Sequence, residues 1–463
     1  MELKTKDYVL IVSMMISFTV AFFTSVTAIL LPEFSKEFFM SNILQNWVAT
    51  IYLLAIAILS VPIGKISQKF GLKKFLIIGI FVLLLGSIGV ALSFSSYSLL
   101  FFRAFQGVGA AILNVCSMSL VVEALPPQER GKGVGFITAG VYIGLSLAPV
   151  LGGLLNYNLG WRSVFFIAIP LIVFILIITI IKIKGEWKTI SENEPFDKKG
   201  SILFSIGIFS FIYGFSILNE FLGMILAVIG VISLVLFVIL ELKIKYPVFD
   251  MGLFKNSKFL SSNIASLISY FATFVITYIL NYYLQYVRGM DSQTAGFFLI
   301  ITPLMMAIIA PYAGRLSDKI NPQKLAALGM SLVTIALFIL CFLSKSLPLY
   351  IIVIAMFLQG VGYGLFSSPN TNAIMSSVPK KYTPIASASV ATVRVIGQSL
   401  SLGMLTVIFA IVMGNVTIVP SNFHLLILSS QIACVVSTIA CIIAIFASLV
   451  GIKSKDQFNI HEG

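Results

Sequence analysis

Two arginines, Arg103 and Arg394, lie in apolar runs long enough to cross a membrane, and the first acidic residue after Arg103 is Glu123. A guanidinium group stays protonated in proteins, so inside a membrane it needs a polar partner or a water-filled cavity. An arginine near a helix end can instead extend its charge to the membrane surface. Arg103 is therefore a candidate for substrate binding or ion coupling, with the interfacial position as the alternative.

The acidic residues are placed differently from these two arginines. All 17 fall in predicted loops or at the ends of predicted helices. A carboxylate inside a membrane helix is the usual proton carrier and attracts cationic compounds. Two cations without a buried carboxylate therefore indicate that neutral or anionic compounds can be accommodated.

The composition is that of a multi-pass membrane protein. The 463 residues are 59% hydrophobic and 10% charged, whereas about 25% of residues are charged in soluble domains. The net charge of +13 comes from basic residues dispersed over short loops, so the expected partner is the lipid bilayer and not nucleic acid. The sequence contains no nucleophile and base pattern, metal-ligand spacing or phosphate-binding loop, so we expect neither an enzyme nor a cofactor.

Fourteen apolar runs are each close to the roughly 20 residues that a bilayer requires. The predicted spans are 8–31, 43–63, 75–94, 98–121, 134–155, 163–183, 200–218, 221–241, 259–285, 295–313, 325–343, 348–376, 385–413 and 423–451. With the N-terminus inside, 24 of the 30 lysine and arginine residues fall on the inner side. Removal of one span would invert every later loop, so this asymmetry predicts an even number of helices with both termini cytoplasmic. The expected location is the plasma membrane.

Short sequence patterns recur about 250 residues apart. Residues 64–71 (GKISQKFG) are matched by 314–321 (GRLSDKIN), and the QGVG sequence of 106–109 recurs at 359–362. The repeat predicts two related six-helix bundles with an inserted helix pair between them, and a substrate site between the bundles. The predicted parts are residues 1–185, 186–245 and 246–463.

Several stretches resemble signature motifs of the major facilitator superfamily, specifically its fourteen-helix drug/proton antiporter branch of multidrug exporters. They are residues 64–74, 99–111 and 148–153, together with 247–259, which is similar to that family's link between helices 8 and 9. The resemblance covers nearly the whole chain. It implies an all-α integral membrane fold of the major facilitator type, in which two bundles rock about a central site.

A stripe of small residues marks predicted helix 5. Gly140, Gly144, Ala148 and Gly152 fall four residues apart and therefore lie on one side of a helix, while Pro149 favours a bend. Such a stripe allows helices to approach closely and to rock, and static packing is the alternative. The full set of gating candidates is Gly64, Gln68, Gly71, Glu123, Gly140, Gly144, Ala148, Pro149, Gly152, Gly153, Gly314 and Asp318.

The loop after predicted helix 2 departs from the family pattern. The glycines Gly64 and Gly71 permit a tight reversal. Gln68 stands where the family has an aspartate that docks a helix N-terminus, whereas Asp318 retains that residue in the second copy. We therefore expect the latch on this face to rely more on the second half. Glu123 is expected to face the lysines of this loop.

The resemblance implies that helices 1, 4, 9 and 12 line the substrate site. Polar and aromatic residues on these helices suit an amphipathic molecule held by apolar area and a few hydrogen bonds. Each of them is alternatively an interhelical hydrogen-bonding residue. The candidates for substrate binding are Thr24, Thr27, Arg103, Asn114, Tyr278, Asn281, Tyr282, Gln285, Asn370 and Asn372.

Proton coupling is the least defined part of the prediction. Phe23 occupies the helix 1 position where the family commonly has a carboxylate, and predicted helix 10 contains no acid. This departure argues against a simple exporter of multivalent cations. Glu33, Glu123 and Arg103 remain as the candidates for proton coupling.

The sequence as a whole predicts a monomeric secondary active transporter that exports amphipathic drugs or similar compounds by alternating access, with the proton as coupling ion. A uniporter or ion-coupled carrier of an anionic or neutral metabolite is the first alternative. A non-transporting membrane receptor or assembly protein on the same scaffold is the second.

Overall fold

The chain folds almost entirely into α-helices. The computed structural model describes residues 5–126, 130–188, 197–244, 247, 249–317, 319–379 and 382–450. Its helices are α1 (Thr5–Phe38), α2 (Asn42–Phe70), α3 (Leu72–Ala91), α4 (Ser96–Ala124), α5 (Arg130–Leu159), α6 (Arg162–Lys182), α7 (Lys198–Ser216), α8 (Phe221–Glu241), α9 (Ser257–Tyr282), α10 (Ser292–Leu299), α11 (Ile301–Ser317), α12 (Pro322–Leu340), α13 (Leu349–Ser376), α14 (Thr383–Val412) and α15 (Phe423–Val450). Within the described ranges no strand is present.

The number of spans agrees with the sequence prediction. The described residues contain fourteen segments long and apolar enough to cross a membrane, because α10 and α11 together form one span. Several helices extend beyond the apolar run that predicts them. For example, α2 ends at Phe70, because a helix can continue past its apolar stretch with charged side chains directed away from the lipid. The cytoplasmic location of the termini stays a prediction.

Polar residues define many of the helix starts. The Ser41 side chain accepts a hydrogen bond from the Leu44 N–H at the start of α2, and Ser95 and Ser98 form a capping box at the start of α4. Asn256 accepts from two N–H groups at the start of α9. These side chains satisfy N–H groups that the first turn of a helix leaves without partners.

The repeated glycines make equivalent contacts in two halves, which we name the first half (α1–α6) and the second half (α9–α15). A methyl group at Gly107 would collide with the Tyr52 carbonyl oxygen of α2, and one at Gly109 would collide with α3. In the second half, Gly360 meets α11 and Gly362 meets α12 in the same way. The sequence repeat thus corresponds to a repeat of close helix packing.

The two ends of the helix bundle are named by their loops. The basic face is the end at which α1 begins and includes Gly71 and residues 183–188. The opposite face is the end at which α1 finishes and includes Phe39 and Gly160. The positive-inside rule predicts that the basic face is cytoplasmic.

Helices α7 and α8 pack against each other, and α7 also contacts α2 and α14. The Ser205 hydroxyl of α7 donates a hydrogen bond to the Ile58 carbonyl oxygen of α2 (3.2 Å). Most large apolar side chains of α8 are exposed on the surface of the chain. The inserted pair therefore lies beside both halves and presents α8 to lipid.

Candidate substrate cavity

A cavity lies between the two halves and extends toward the basic face. Its lining includes Val134 near the start of α5, Met375 in the last turn of α13 and Ser387 near the start of α14. Toward the opposite face the lining ends at residues such as Ala28 and Tyr278. Because α5 and α14 begin at the basic face and α13 ends there, the cavity reaches that face and stops below the other.

Aromatic and amide side chains line much of this cavity. Tyr270 and Tyr363 pack edge to face with ring centroids 5.8 Å apart, and the Tyr142 hydroxyl of α5 lies 3.0 Å from the Ser367 hydroxyl of α13. The wider aromatic and polar lining includes Phe274, Tyr278, Gln359 and Gln398. A small organic molecule can therefore be held by ring contacts and hydrogen bonds.

Arg394 of α14 is the one charged residue among the described residues that line the cavity. Tyr142 and Tyr363 line the same cavity as this arginine. The lining contains no aspartate or glutamate within the part of the chain that the structure describes. The electrostatic character of the cavity is therefore cationic.

A seam of side-chain hydrogen bonds closes the opposite face between α9 and the first half. The Tyr282 hydroxyl donates to the Asn46 side-chain oxygen of α2 (2.6 Å). The Asn281 amide donates to the Ala28 carbonyl oxygen of α1 (2.6 Å), and the Gln285 amide donates to that of Ile29 (2.9 Å). These hydrogen bonds join the halves above the cavity and separate it from the opposite face.

Close helix contacts complete this closure along α5. The Ser292 hydroxyl of α10 donates to the Gly153 carbonyl oxygen (3.1 Å), and a methyl group at Gly153 would collide with the Ser292 carbonyl oxygen. A methyl group at Gly296 of α10 would likewise collide with the Pro149 carbonyl oxygen. The contact of α5 with the second half on this side therefore includes Gly153, Pro149 and α10.

The rest of the predicted stripe on α5 faces a helix of the same half. A methyl group at Gly140 or Gly144 would collide with main-chain oxygens of α1, those of Met14 and Phe18 respectively, and one at Gly152 would collide with Val26. Ala148 is fully buried. These residues allow α5 to lie directly on α1, which makes the pair a single packed unit.

The remaining gating candidates occupy the basic face. Gly64 and Gln68 lie within α2, so the reversal between α2 and α3 is made at Gly71, which has φ +117°. Gly314 lies within α11, close to the Ser368 hydroxyl group. Asp318 lies outside the described residues. The latch predicted from these positions stays a prediction.

The predicted substrate residues fall into three groups. Thr24, Asn114 and Tyr278 line the cavity. Asn281, Tyr282 and Gln285 belong to the seam described above. The other four, which include Arg103, do not line the cavity. Thr27 donates to the Phe23 carbonyl oxygen, Asn370 to the Ser262 carbonyl and the Ser266 hydroxyl, and Asn372 to the Ser317 hydroxyl.

Arg103 lies inside the first half, with 1% of its surface exposed. Its Nε donates to the Val48 carbonyl oxygen of α2 (3.1 Å), and one terminal nitrogen donates to the Gln106 side-chain oxygen. The guanidinium carbon lies 4.3 Å from the centre of the Tyr52 ring. The second terminal nitrogen is buried without a hydrogen-bond partner among the described residues. In this conformation Arg103 holds α2 against α4 and does not line the cavity.

The two carboxylates proposed for coupling lie at opposite ends of the bundle. Glu33 lines a shallow recess at the opposite face, and Glu123 is half-buried in the last turn of α4. The Phe23 ring stacks on Phe165 of α6, with centroids 5.8 Å apart and planes 6° from parallel. An aromatic pair therefore fills the α1 position at which the family commonly has an acid.

The sequence repeat indicates that Arg394 faces the cavity, which the motif comparison did not show. A methyl group at Gly397 would approach the Leu267 carbonyl oxygen of α9, just as one at Gly144 would meet α1. Gly144 and Gly397 are 253 residues apart, the offset of the QGVG repeat. Arg394 and Val141 both stand three residues earlier, and both line the cavity.

Comparisons with known proteins agree with this architecture. The riboflavin transporter RibZ of Clostridioides difficile is 30% identical over 82% of this chain and 83% of its own length. The multidrug resistance protein Stp of Mycobacterium tuberculosis is 26% identical over 82% of this chain and 71% of its own length.

Two kinds of solved structure share the fold. A bacterial homologue of the human lysosomal transporter Spinster, in an inward-facing and unoccupied conformation, superposes with a TM-score of 0.71 at 16% identity, covering 98% of this chain and 99% of its own. The peptide transporter POT gives a TM-score of 0.69 at 18% identity, with 95% of each chain covered. A family model described as the Major Facilitator Superfamily matches residues 13–402. The chain belongs to the Major Facilitator Superfamily and is a membrane transporter.

Proposed function

We propose that this transporter exports amphipathic organic compounds from the cytoplasm by alternating access, in exchange for protons. The observation that carries the proposal is a cavity, lined by both halves, that reaches the predicted cytoplasmic face and is closed at the other. In this state a compound enters from the basic face and meets aromatic rings and amide groups. Opening of the seam after closure of the basic face then releases it on the other side.

The chemistry of the cavity suits an organic compound better than a hydrated ion. Tyrosine and phenylalanine rings provide apolar area, and Gln359 and Gln398 provide hydrogen bonds without a fixed charge. The names of the two relatives, a riboflavin transporter and a multidrug resistance protein, are consistent with such a substrate.

A specific observation favours a second candidate, a carrier of an anionic or neutral metabolite that is not driven by protons. Among the described residues, those that line the cavity include no carboxylate, which is the group that commonly binds the coupling proton. If transport is proton-coupled, the candidates for binding the proton are Glu33, Glu123 and Arg103, none of which lines the cavity.

Flux and internal pH, measured together in proteoliposomes, distinguish the two candidates. The liposomes contain a pH-sensitive dye and are exposed to cationic, neutral and anionic amphiphiles, with protein-free liposomes and Arg103→Ala as comparisons. Proton movement opposite to one class of amphiphile supports proton-coupled export. Amphiphile flux without proton movement supports the second candidate, and absence of protein-dependent flux for every class contradicts both.

A further inference from the structure

None of the described residues neutralises the charge on Arg394 through a hydrogen bond or an ion pair. The rest of the described cavity lining is uncharged. A cation that faces a cavity inside the membrane is costly unless water or an anion accompanies it. Arg394 therefore presents unused donors of fixed geometry to whatever occupies the cavity.

The groups around Arg394 can also donate hydrogen bonds to an anion. Tyr142 and Tyr363 line the same cavity as Arg394, and Gln398 stands one helical turn further along α14. Hydroxyl and amide N–H groups next to a guanidinium form a donor cluster that suits carboxylate, sulfonate or phosphate oxygens. A cationic compound would meet repulsion at the same place.

Aromatic side chains continue from this cluster toward the closed end of the cavity. Phe274 and Tyr278 of α9 lie with ring centroids 5.5 Å apart, and both line the cavity. Pro303 and Met306 of α11 add apolar surface. A planar ring system attached to an acidic group would place its ring against these residues while its anion reaches Arg394.

We infer that the preferred substrates are aromatic organic anions, and that Arg394 selects for their negative charge. The inference rests on the proposed function, since it assumes that the cavity carries the transported compound. It assigns charge selectivity to a residue of the second half, separate from Arg103 within the first half.

Three naphthalene probes that differ in charge test the inference. They are naphthalene-2-sulfonate, 2-naphthyltrimethylammonium and the neutral 2-naphthyl glucoside, each labelled and measured as flux in proteoliposomes. The variants are Arg394→Gln, Arg394→Lys and the matched control Arg288→Gln, which removes an arginine bonded to the Lys345 carbonyl oxygen away from the cavity. Thermal unfolding in detergent confirms that each variant is folded.

We expect the wild type to carry the sulfonate in preference to the ammonium compound. Arg394→Gln should lower sulfonate flux by about tenfold, the loss of one charge-assisted hydrogen bond, and lower glucoside flux by a smaller factor. Arg394→Lys should retain part of the preference, and Arg288→Gln all of it. Unchanged sulfonate flux in Arg394→Gln, or glucoside flux without a preference for sulfonate in the wild type, overturns the inference alone. Absence of flux for all three probes in the wild type overturns the proposed function and with it the inference.

Discussion

The Tyr282 hydroxyl of α9 donates a 2.6 Å hydrogen bond to the Asn46 side chain of α2, one helix from each half. Both side chains are fully buried. Because it joins the two halves, we expect this hydrogen bond to break when the opposite face opens, so that its strength contributes to the balance between the two states of the transporter.

Tyr282→Phe should shift that balance toward opening at the opposite face. Loss of one neutral hydrogen bond corresponds to a change of about threefold to tenfold in the equilibrium. The measurement is the labelling rate of Ser25→Cys, in the cavity, by an impermeant maleimide applied to the opposite face, with Cys341 replaced by serine. Tyr283→Phe is the matched control, because the Tyr283 hydroxyl bonds to Ser344 within the second half. Equal labelling in both variants would contradict this role of the seam.

Gly144→Leu should abolish transport and leave membrane insertion intact. A side chain at this position collides with the Phe18 carbonyl oxygen, so α5 can no longer lie on α1. We expect a loss of about 1–3 kcal/mol in the free energy of unfolding. Thermal unfolding and flux are compared with Gly135→Leu, since Gly135 on the same helix has open space around it. Full transport by Gly144→Leu would show that the close approach is not required.

Glu186→Gln should loosen the start of α3. The Glu186 carboxylate accepts hydrogen bonds from the Lys73 and Lys74 N–H groups (2.8 and 3.1 Å), and the Leu72 N–H donates to the Trp187 carbonyl oxygen. Loss of the negative charge at this helix N-terminus should lower stability by about 1 kcal/mol, with a smaller difference at high salt.

Thermal unfolding at two salt concentrations measures this effect. Glu220→Gln is the control, because Glu220 stands at the start of α8 without a side-chain hydrogen bond to that helix. Equal stability of Glu186→Gln and the wild type would mean that the segment after α6 does not anchor α3.

Arg103→Lys should destabilise the first half although the charge is retained. A lysine ammonium lacks the planar fork that reaches both Val48 and Gln106, and the buried carbonyl oxygen of Val48 would lose its side-chain donor. We expect a decrease of about 2 kcal/mol in stability, together with reduced transport. Thermal unfolding and flux are the measurements, and undiminished transport would show that the bidentate geometry is not needed.

The spans and the repeat could be predicted because each depends on a strong local signal. A run of about 20 apolar residues can be recognised without any tertiary information. Gly107 and Gly360 recur because both occupy positions with no room for a side chain. These signals also gave the family resemblance that the comparisons confirm.

The direction in which each polar side chain points depends on the rotation of its helix and could not be predicted. Asn370 and Asn281 both lie on helices that line the cavity, yet the first binds Ser262 and Ser266 and the second binds Ala28. Arg394 and Tyr142 face the cavity because α14 and α5 pack through glycines on another side. The motifs identified the glycines of α5 but not Gly397 of α14, and they did not identify Tyr142 or place Arg394 in the cavity.

The position of α7 makes the two sides of the interface between the halves mechanically unequal. On one side α7 contacts both α2 and α14. When the halves rotate there, α7 must move with one of them or slide along it. Helices α2 and α14 also contact each other directly, as α5 and α10 do at Gly153 and Gly296, but α7 lies against the α2–α14 pair. We therefore expect α7 and α8 to restrict relative motion of the halves on the α2–α14 side. The larger displacement between the halves during each transport cycle should then take place on the α5–α10 side.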